Sequence, residues 1–190
     1  MLRFEKPEYK IAEYIENNHY GKFELEPLER GFGTTMGNAL RRVMLSSLPG
    51  SAITSVKIEG VMHEFQKIDG VVEDVTAIIL ALKSVIIKNH TEEDKVIRLT
   101  ANTEGPVTAG DIEIDADLEI INPELVIANL VKGGKLEMEM TVSNGRGYVD
   151  AKTNQTLLGE TKVGVIAIDP LYSPIERVSY EVESARVGQN

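Results

Sequence analysis

Three glycines, a pair of arginines and three histidines are the residues whose types and spacing could do chemistry in this chain. Gly31-Phe-Gly33-Thr-Thr-Met-Gly37 lies between strand-like and helix-like sequence, where backbone N–H groups could cradle a dinucleotide pyrophosphate, and Glu59 falls about where a ribose-binding acid would. Three features count against that chemistry. Pro27 and the charged pair Glu29-Arg30 separate Leu25 from the glycines, the glycine spacing has one residue too many, and a doubly wound sheet needs more crossover helices than the two convincing ones here. His19, His63 and His90 have no ligand-like spacing, and His63-Glu64 lacks the second histidine of a metalloprotease helix. There is no Gly-x-Ser-x-Gly elbow and no thiol nucleophile. The chemistry is that of a binder or a scaffold, with no catalytic residue, cofactor or metal expected.

The arginines sit on an element that could present them to a partner. Lys22-Phe-Glu-Leu alternates as a half-buried strand does, Pro27 and the glycines break it, and Thr34 or Thr35 caps a helix to about Leu48, stopped by Pro49-Gly50. At 100° per residue Met36, Ala39, Leu40, Val43 and Met44 share one face and read as a core stripe. Asn38, Arg41, Arg42 and Leu45 gather on the opposite side. An apolar anchor beside arginines is typical of protein–protein hot spots, because guanidinium is weakly hydrated and forks onto carboxylates. A plain solvated face is the alternative.

Composition narrows the class. The chain has 190 residues, 42% of them hydrophobic, which rules out disorder, and no apolar run nears the about 20 residues of a membrane span. The first residues, Met-Leu-Arg-Phe-Glu-Lys-Pro-Glu, carry charges where a secretion signal needs an apolar stretch, and there are no cysteines to staple or to bind zinc. An intracellular, cytoplasmic protein is expected. The net charge of −10 and pI of about 4.9 come without a basic stripe, so direct nucleic-acid binding is disfavoured.

Strand-like alternation dominates the remainder, at Phe23–Leu25, Ala52–Glu59, Lys95–Thr100, Ile112–Ile120, Lys135–Val142, Lys162–Ile168 and Val178–Glu183. A second helix is predicted from about Val71 to Lys88, with Val75, Ile78, Ile79, Leu82, Val85 and Ile86 as its core stripe and Thr76, Leu80, Lys83 and Ile87 as a mixed strip beside it. Asn122-Pro123 either opens a short helix or leads into extended chain, and the extended reading is preferred. Gly105-Pro, Gly133-Gly134 and Asn144-Gly-Arg-Gly read as loops or turns. The fold class is α+β. Breakers at Pro49-Gly50 and Asp169-Pro170 suit a host formed by residues 1–49 and 171–190 with residues 50–170 inserted.

Long collinear motifs then carry a family resemblance. Leu25-Glu-Pro-Leu-Glu-Arg-Gly-Phe-Gly-Thr-Thr-Met-Gly-Asn-Ala-Leu-Arg-Arg-Val-Met-Leu-Ser-Ser-Leu-Pro-Gly50 resembles the signature of the bacterial RNA polymerase alpha subunits. Ile58-Glu-Gly-Val-Met-His-Glu-Phe, Gly105-Pro-Val-Thr-Ala-Gly-Asp, Gly145-Arg-Gly-Tyr-Val and Tyr172-Ser-Pro-Ile-Glu-Arg-Val-Ser-Tyr-Glu-Val-Glu-Ser-Ala-Arg-Val extend the likeness over essentially the whole chain.

The resemblance implies a non-catalytic homodimeric platform for the beta and beta-prime subunits, which carry the nucleotidyltransferase site used in transcription. It implies a discontinuous dimerisation subdomain with a mostly β subdomain inserted into it. On this mapping Arg42 matches the family's beta-contacting arginine, with Arg41, Asn38 and Leu45 on its face, while Met36, Leu40, Val43 and Met44 form the dimer or core side. Lys83, with Leu80, matches a beta-prime contact, and so does Ile168. Family members continue into a pairing helix, a linker and a carboxy-terminal DNA-binding domain, which the 190 residues are expected to lack. No DNA or membrane contact is expected of this portion. Residues 152–164 depart from the family pattern, and no contact is transferred there.

Overall fold

The computed structural model describes residues 6–16, 19–157, 159 and 163–184. The first five residues, Lys162, and the end of the last family motif from Ala185 onward lie outside that set. The architecture is mixed α/β with sheet predominating. The chain divides into two compact units, Met1–Met44 with Arg177–Asn190, and Leu45–Glu176.

In the first unit, β1 (Glu8–Ile15) and β2 (Tyr20–Glu26) form an antiparallel hairpin, followed by α1 (Phe32–Ser46), whose last two residues belong to the second unit. The expected strand at Val178–Glu183 does not form. This stretch runs extended beside α1 instead: Arg41 Nε donates to the Val178 carbonyl at 3.2 Å, and a Cβ on Gly33 would come within 2.7 Å of Val182 Cγ1. Its alternation serves packing on a helix rather than pairing with a strand.

The second unit holds β3 (Pro49–Ile58), α2 (Val75–Lys83), β4 (Ile87–Asn89), β5 (Lys95–Ala101), β6 (Gly105–Thr108), β7 (Ile112–Glu113), β8 (Leu118–Ile120), β9 (Val126–Leu130), β10 (Leu136–Arg146), α3 (Ala151–Leu157) and β11 (Val165–Ala167). Five of these strands make an antiparallel sheet in the order β11-β3-β10-β5-β7, and β4-β8 and β6-β9 are separate pairs. β10 is central, and its alternation buries Leu136, Met138, Met140 and Val142 beside Ile97 and Leu99 of β5 and Val56 and Ile58 of β3. Val75, Ile78 and Leu82 of α2 complete this core.

Local chemistry explains where the elements depart from expectation. α2 is shorter than the predicted helix over 71–88. It begins at Asp74, whose carboxylate accepts from Ala77 N at 2.8 Å, and it ends because Asn122 clamps its exit. Asn122 Nδ2 donates to the Ser84 carbonyl at 2.9 Å, and its Oδ1 accepts from Ile86 N at 2.8 Å. The β-branched run that follows is extended, so Ile87 is buried and Ile86 is not. The predicted strand 112–120 breaks at Asp115, whose side chain accepts from Asp117 N at 3.0 Å, a turn that competes with the ladder. Gly105-Pro, expected as a loop, pairs with β9, and α3 had no signal beyond Asp150, whose carboxylate accepts from Thr153 N at 3.0 Å.

Glu73 joins the start of α2 to β9. Its carboxylate accepts from Asn129 N at 2.6 Å and from Asn129 Nδ2 at 2.7 Å. Burial pulls the carboxyl upward, but the two Asn129 donors outweigh it and hold it below the ordinary range. A folded-state value below the unfolded one stabilises above the ordinary carboxylate range, and that contribution is lost as pH falls through the folded value. Glu73→Gln is therefore expected to flatten the acid limb of the stability curve, read as thermal midpoint against pH; an unaltered acid limb would refute this.

Candidate functional site

Two surfaces carry the residues singled out above. The first is α1. None of its 15 residues is buried. Met36 and Met44 are half-buried, whereas Leu40 is 46% and Val43 51% exposed, joined on that side by Phe32 at 54%. The stripe read as core is thus not interior to the described chain. Its apolar period is real, but Phe32, Leu40 and Val43 stay exposed among the described residues.

The other side of α1 differs from the expectation in one respect. Asn38, Arg41 and Arg42 are exposed and Leu45 is half-buried. Arg41 Nε is committed to the Val178 carbonyl. Gly33, Gly37 and Arg41 recur every four residues and form the edge against which Val178, Tyr180 and Val182 lie. A Cβ on Gly37 would collide with the Tyr180 ring. The space beside Gly33 and Gly37 belongs to the chain's own side chains, leaving no phosphate cradle there. Gly37→Ala would ordinarily favour a helix by about 1 kcal/mol. Here it is expected to lower the melting temperature, and Tyr180→Ala in the same chain should remove most of that loss. A Gly37→Ala chain that melts higher than wild type would contradict the packing role.

The second surface lies in the second unit around the last turn of α2. Leu80 is 59% exposed, and one turn on Lys83 Nζ donates to Asp169 Oδ2 at 2.7 Å. The same carboxylate oxygen accepts from the Tyr148 hydroxyl at 3.1 Å. Burial raises the Asp169 carboxyl, while the Lys83 ammonium, its own backbone N–H and the Tyr148 hydroxyl lower it to a net position below the usual range. The hydrogen bond to Asp169 in turn holds the Tyr148 phenol above its ordinary value.

Ile168 is not on this surface. Its side chain is 1% exposed within the core, its N–H donates to Thr54 O at 2.9 Å, and its carbonyl accepts from Asn154 Nδ2 at 2.6 Å. In the chain by itself, the apolar residue before Asp169 anchors the strand from inside. Asp169 and Tyr148 were missed. Asp169-Pro170 reads only as a breaker and Gly145-Arg-Gly-Tyr-Val only as a family motif, and no local pattern links positions 83, 148 and 169. Asn144-Gly-Arg-Gly, expected as a turn, lies in β10 as far as Arg146.

Among the described residues no cluster of three or more histidines or carboxylates could hold a metal ion, and no helix is long and apolar enough to cross a membrane. What the geometry offers is two presenting surfaces: an apolar and cationic helix, and an ordered lysine at a helix end.

Residues 56–173 match the family model of the RNA polymerase Rpb3/RpoA insert domain, and the chain belongs to that family. Its relatives are more particular. Over 189 residues it is 59% identical to the DNA-directed RNA polymerase subunit alpha of Desulforamulus reducens, and over 188 residues 57% identical to that of Symbiobacterium thermophilum. The subunit alpha of Moorella thermoacetica is 57% identical over 189 residues. These matches take in 99–100% of the chain and 59% of each relative, so the chain spans about three fifths of the length of the curated relatives it matches.

Proposed function

We infer that this chain is the assembly portion of a bacterial RNA polymerase alpha subunit, a non-catalytic scaffold working in the cytoplasm. The unit formed by residues 1–44 and 177–190 acts as the discontinuous dimerisation subdomain, carrying Met36, Leu40, Val43 and Met44 into contact with a second copy. Arg42, with Asn38 and Leu45 around it, meets the beta subunit; Arg41 contributes through the Val178 carbonyl it holds. Leu80 and Lys83 meet the beta-prime subunit. No cofactor, DNA or membrane takes part through this portion.

The observation that carries the reading is α1, a 15-residue helix with an apolar stripe and not one buried residue. Exposed Phe32, Leu40 and Val43 on one helix face form the kind of contiguous apolar surface that marks an interaction site. The test is ordered reconstitution of the full chain with beta and then beta-prime, followed by size-exclusion chromatography. A dimer that takes up beta and then beta-prime supports the reading. A chain that stays monomeric and takes up neither subunit would overturn it.

A further inference from the structure

We propose that Asp169 and Tyr148 are positioning residues that hold the Lys83 ammonium in its docking geometry before the partner arrives. This rests on the reading that Lys83 faces beta-prime. The observation is a convergence of three distant segments on one oxygen. Asp169 Oδ2 accepts from Lys83 Nζ at 2.7 Å and from the Tyr148 hydroxyl at 3.1 Å.

Each segment is fixed independently of the ion pair. Lys83 ends α2, where the Ser84 N–H returns to Ala81 O at 2.9 Å and Ser84 Oγ bonds the Leu80 carbonyl at 3.3 Å. Asp169 follows Ile168, which is buried and bonded on both sides of its backbone. Tyr148 is brought alongside by bonds that flank it: Tyr172 N donates to Gly147 O at 2.8 Å, and Val149 N donates to Pro170 O at 3.1 Å. The acceptor is thus set in a rigid frame, and the tyrosine occupies a second lone pair of the same oxygen, limiting the carboxylate's own rotation.

The chemistry of lysine makes this matter. Its four-carbon stem is flexible and strongly hydrated at the tip, so docking it costs rotamer freedom. At side-chain exposures of 30% and 28%, the Lys83–Asp169 pair is sheltered enough to be held yet open on its outer side. An ammonium has three donors. Asp169 takes one, leaving two for an acceptor on the partner, either a carboxylate or a chain of backbone carbonyls. Ordering is completed in the free subunit, as preorganisation requires.

The experiment measures beta-prime binding to the full alpha chain already joined to beta. Asp169→Asn is expected to weaken that step about ten-fold and Tyr148→Phe about two- to three-fold, with uptake of beta unchanged. Asp169→Glu should recover part of the loss. In a Lys83→Ala background, neither Asp169→Asn nor Tyr148→Phe should weaken binding further, which a merely structural role would not predict. Tyr148→Phe removes a single exposed hydroxyl, so it remains informative if Asp169→Asn compromises folding. If Lys83→Ala impairs uptake while both other variants bind as wild type, the positioning role is wrong and the beta-prime reading stands. If the Asp169→Asn loss persists undiminished without Lys83, the proposal also fails. If Lys83→Ala itself has no effect, the contact reading and the positioning role fall together.

Discussion

Arg42→Ala is expected to weaken recruitment of the beta subunit by about 2–4 kcal/mol, the penalty of truncating a desolvated arginine anchor, with little change in melting temperature. Arg42 is exposed on α1, on the side away from Leu40 and Val43, and alanine is the better helix former. Arg42→Lys should recover only part of the affinity, since an ammonium is a point charge and cannot reproduce the planar fork. The competing account is that Arg42 serves only its own chain. It predicts the opposite split, a lowered melting temperature with normal assembly. Melting curves beside beta-binding titrations separate the two, and a variant that assembles at wild-type affinity defeats the contact reading. Arg41→Ala should lower the melting temperature, because its guanidinium holds the Val178 carbonyl.

Asn154 should give the largest stability effect outside the apolar core. It is 4% exposed, and its Nδ2 donates to Thr54 O at 2.7 Å and Ile168 O at 2.6 Å. Asn154→Ala leaves the Ile168 carbonyl buried with no donor and opens a space, for an expected loss of about 3 kcal/mol. Asn154→Asp is expected to be worse near neutral pH, because an ionised carboxylate offers two acceptor oxygens to two carbonyl acceptors. Burial raises the pKa of such a carboxyl above its unfolded value. The variant should therefore regain stability as pH falls and lose it as pH rises through the raised folded-state pKa. Chemical denaturation across pH reads this directly; a flat difference between Asn154→Asp and wild type would exclude the donor role. Because Ile168 precedes Asp169, both variants should also loosen the Lys83 clamp.

Much of the second unit is legible in the chain because its elements obey a local rule. β10 alternates strictly, and its inward residues are buried. α2 is bracketed by an aspartate cap and a lysine in its last turn. The places where local reading fails share a cause: a side chain from far away, or one competing locally, overrules periodicity. Asn122 ends α2 from 36 positions off at Ile86, and Asp115 breaks a strand that otherwise alternates perfectly. Val178–Glu183 has the period of a strand, but Gly33 and Gly37 offer it a helix edge to lie against.

By itself the sequence determined the α+β class, the central strands, the two main helices and, through its long motifs, the family. It determined these because hydrophobic period and motif spacing are local properties, written in consecutive residues. Only the tertiary structure decided which apolar stripes are interior and which are presented. The stripes of α1 and α2 have similar periods, yet Val75, Ile78 and Leu82 are covered by a sheet while Leu40 and Val43 are not. It also decided that Ile168 is an anchor and Asp169 the surface group. Burial depends on what the rest of the chain places opposite a residue. So does the meeting of Lys83, Tyr148 and Asp169 at one carboxylate oxygen, which needs three segments brought together by a fold.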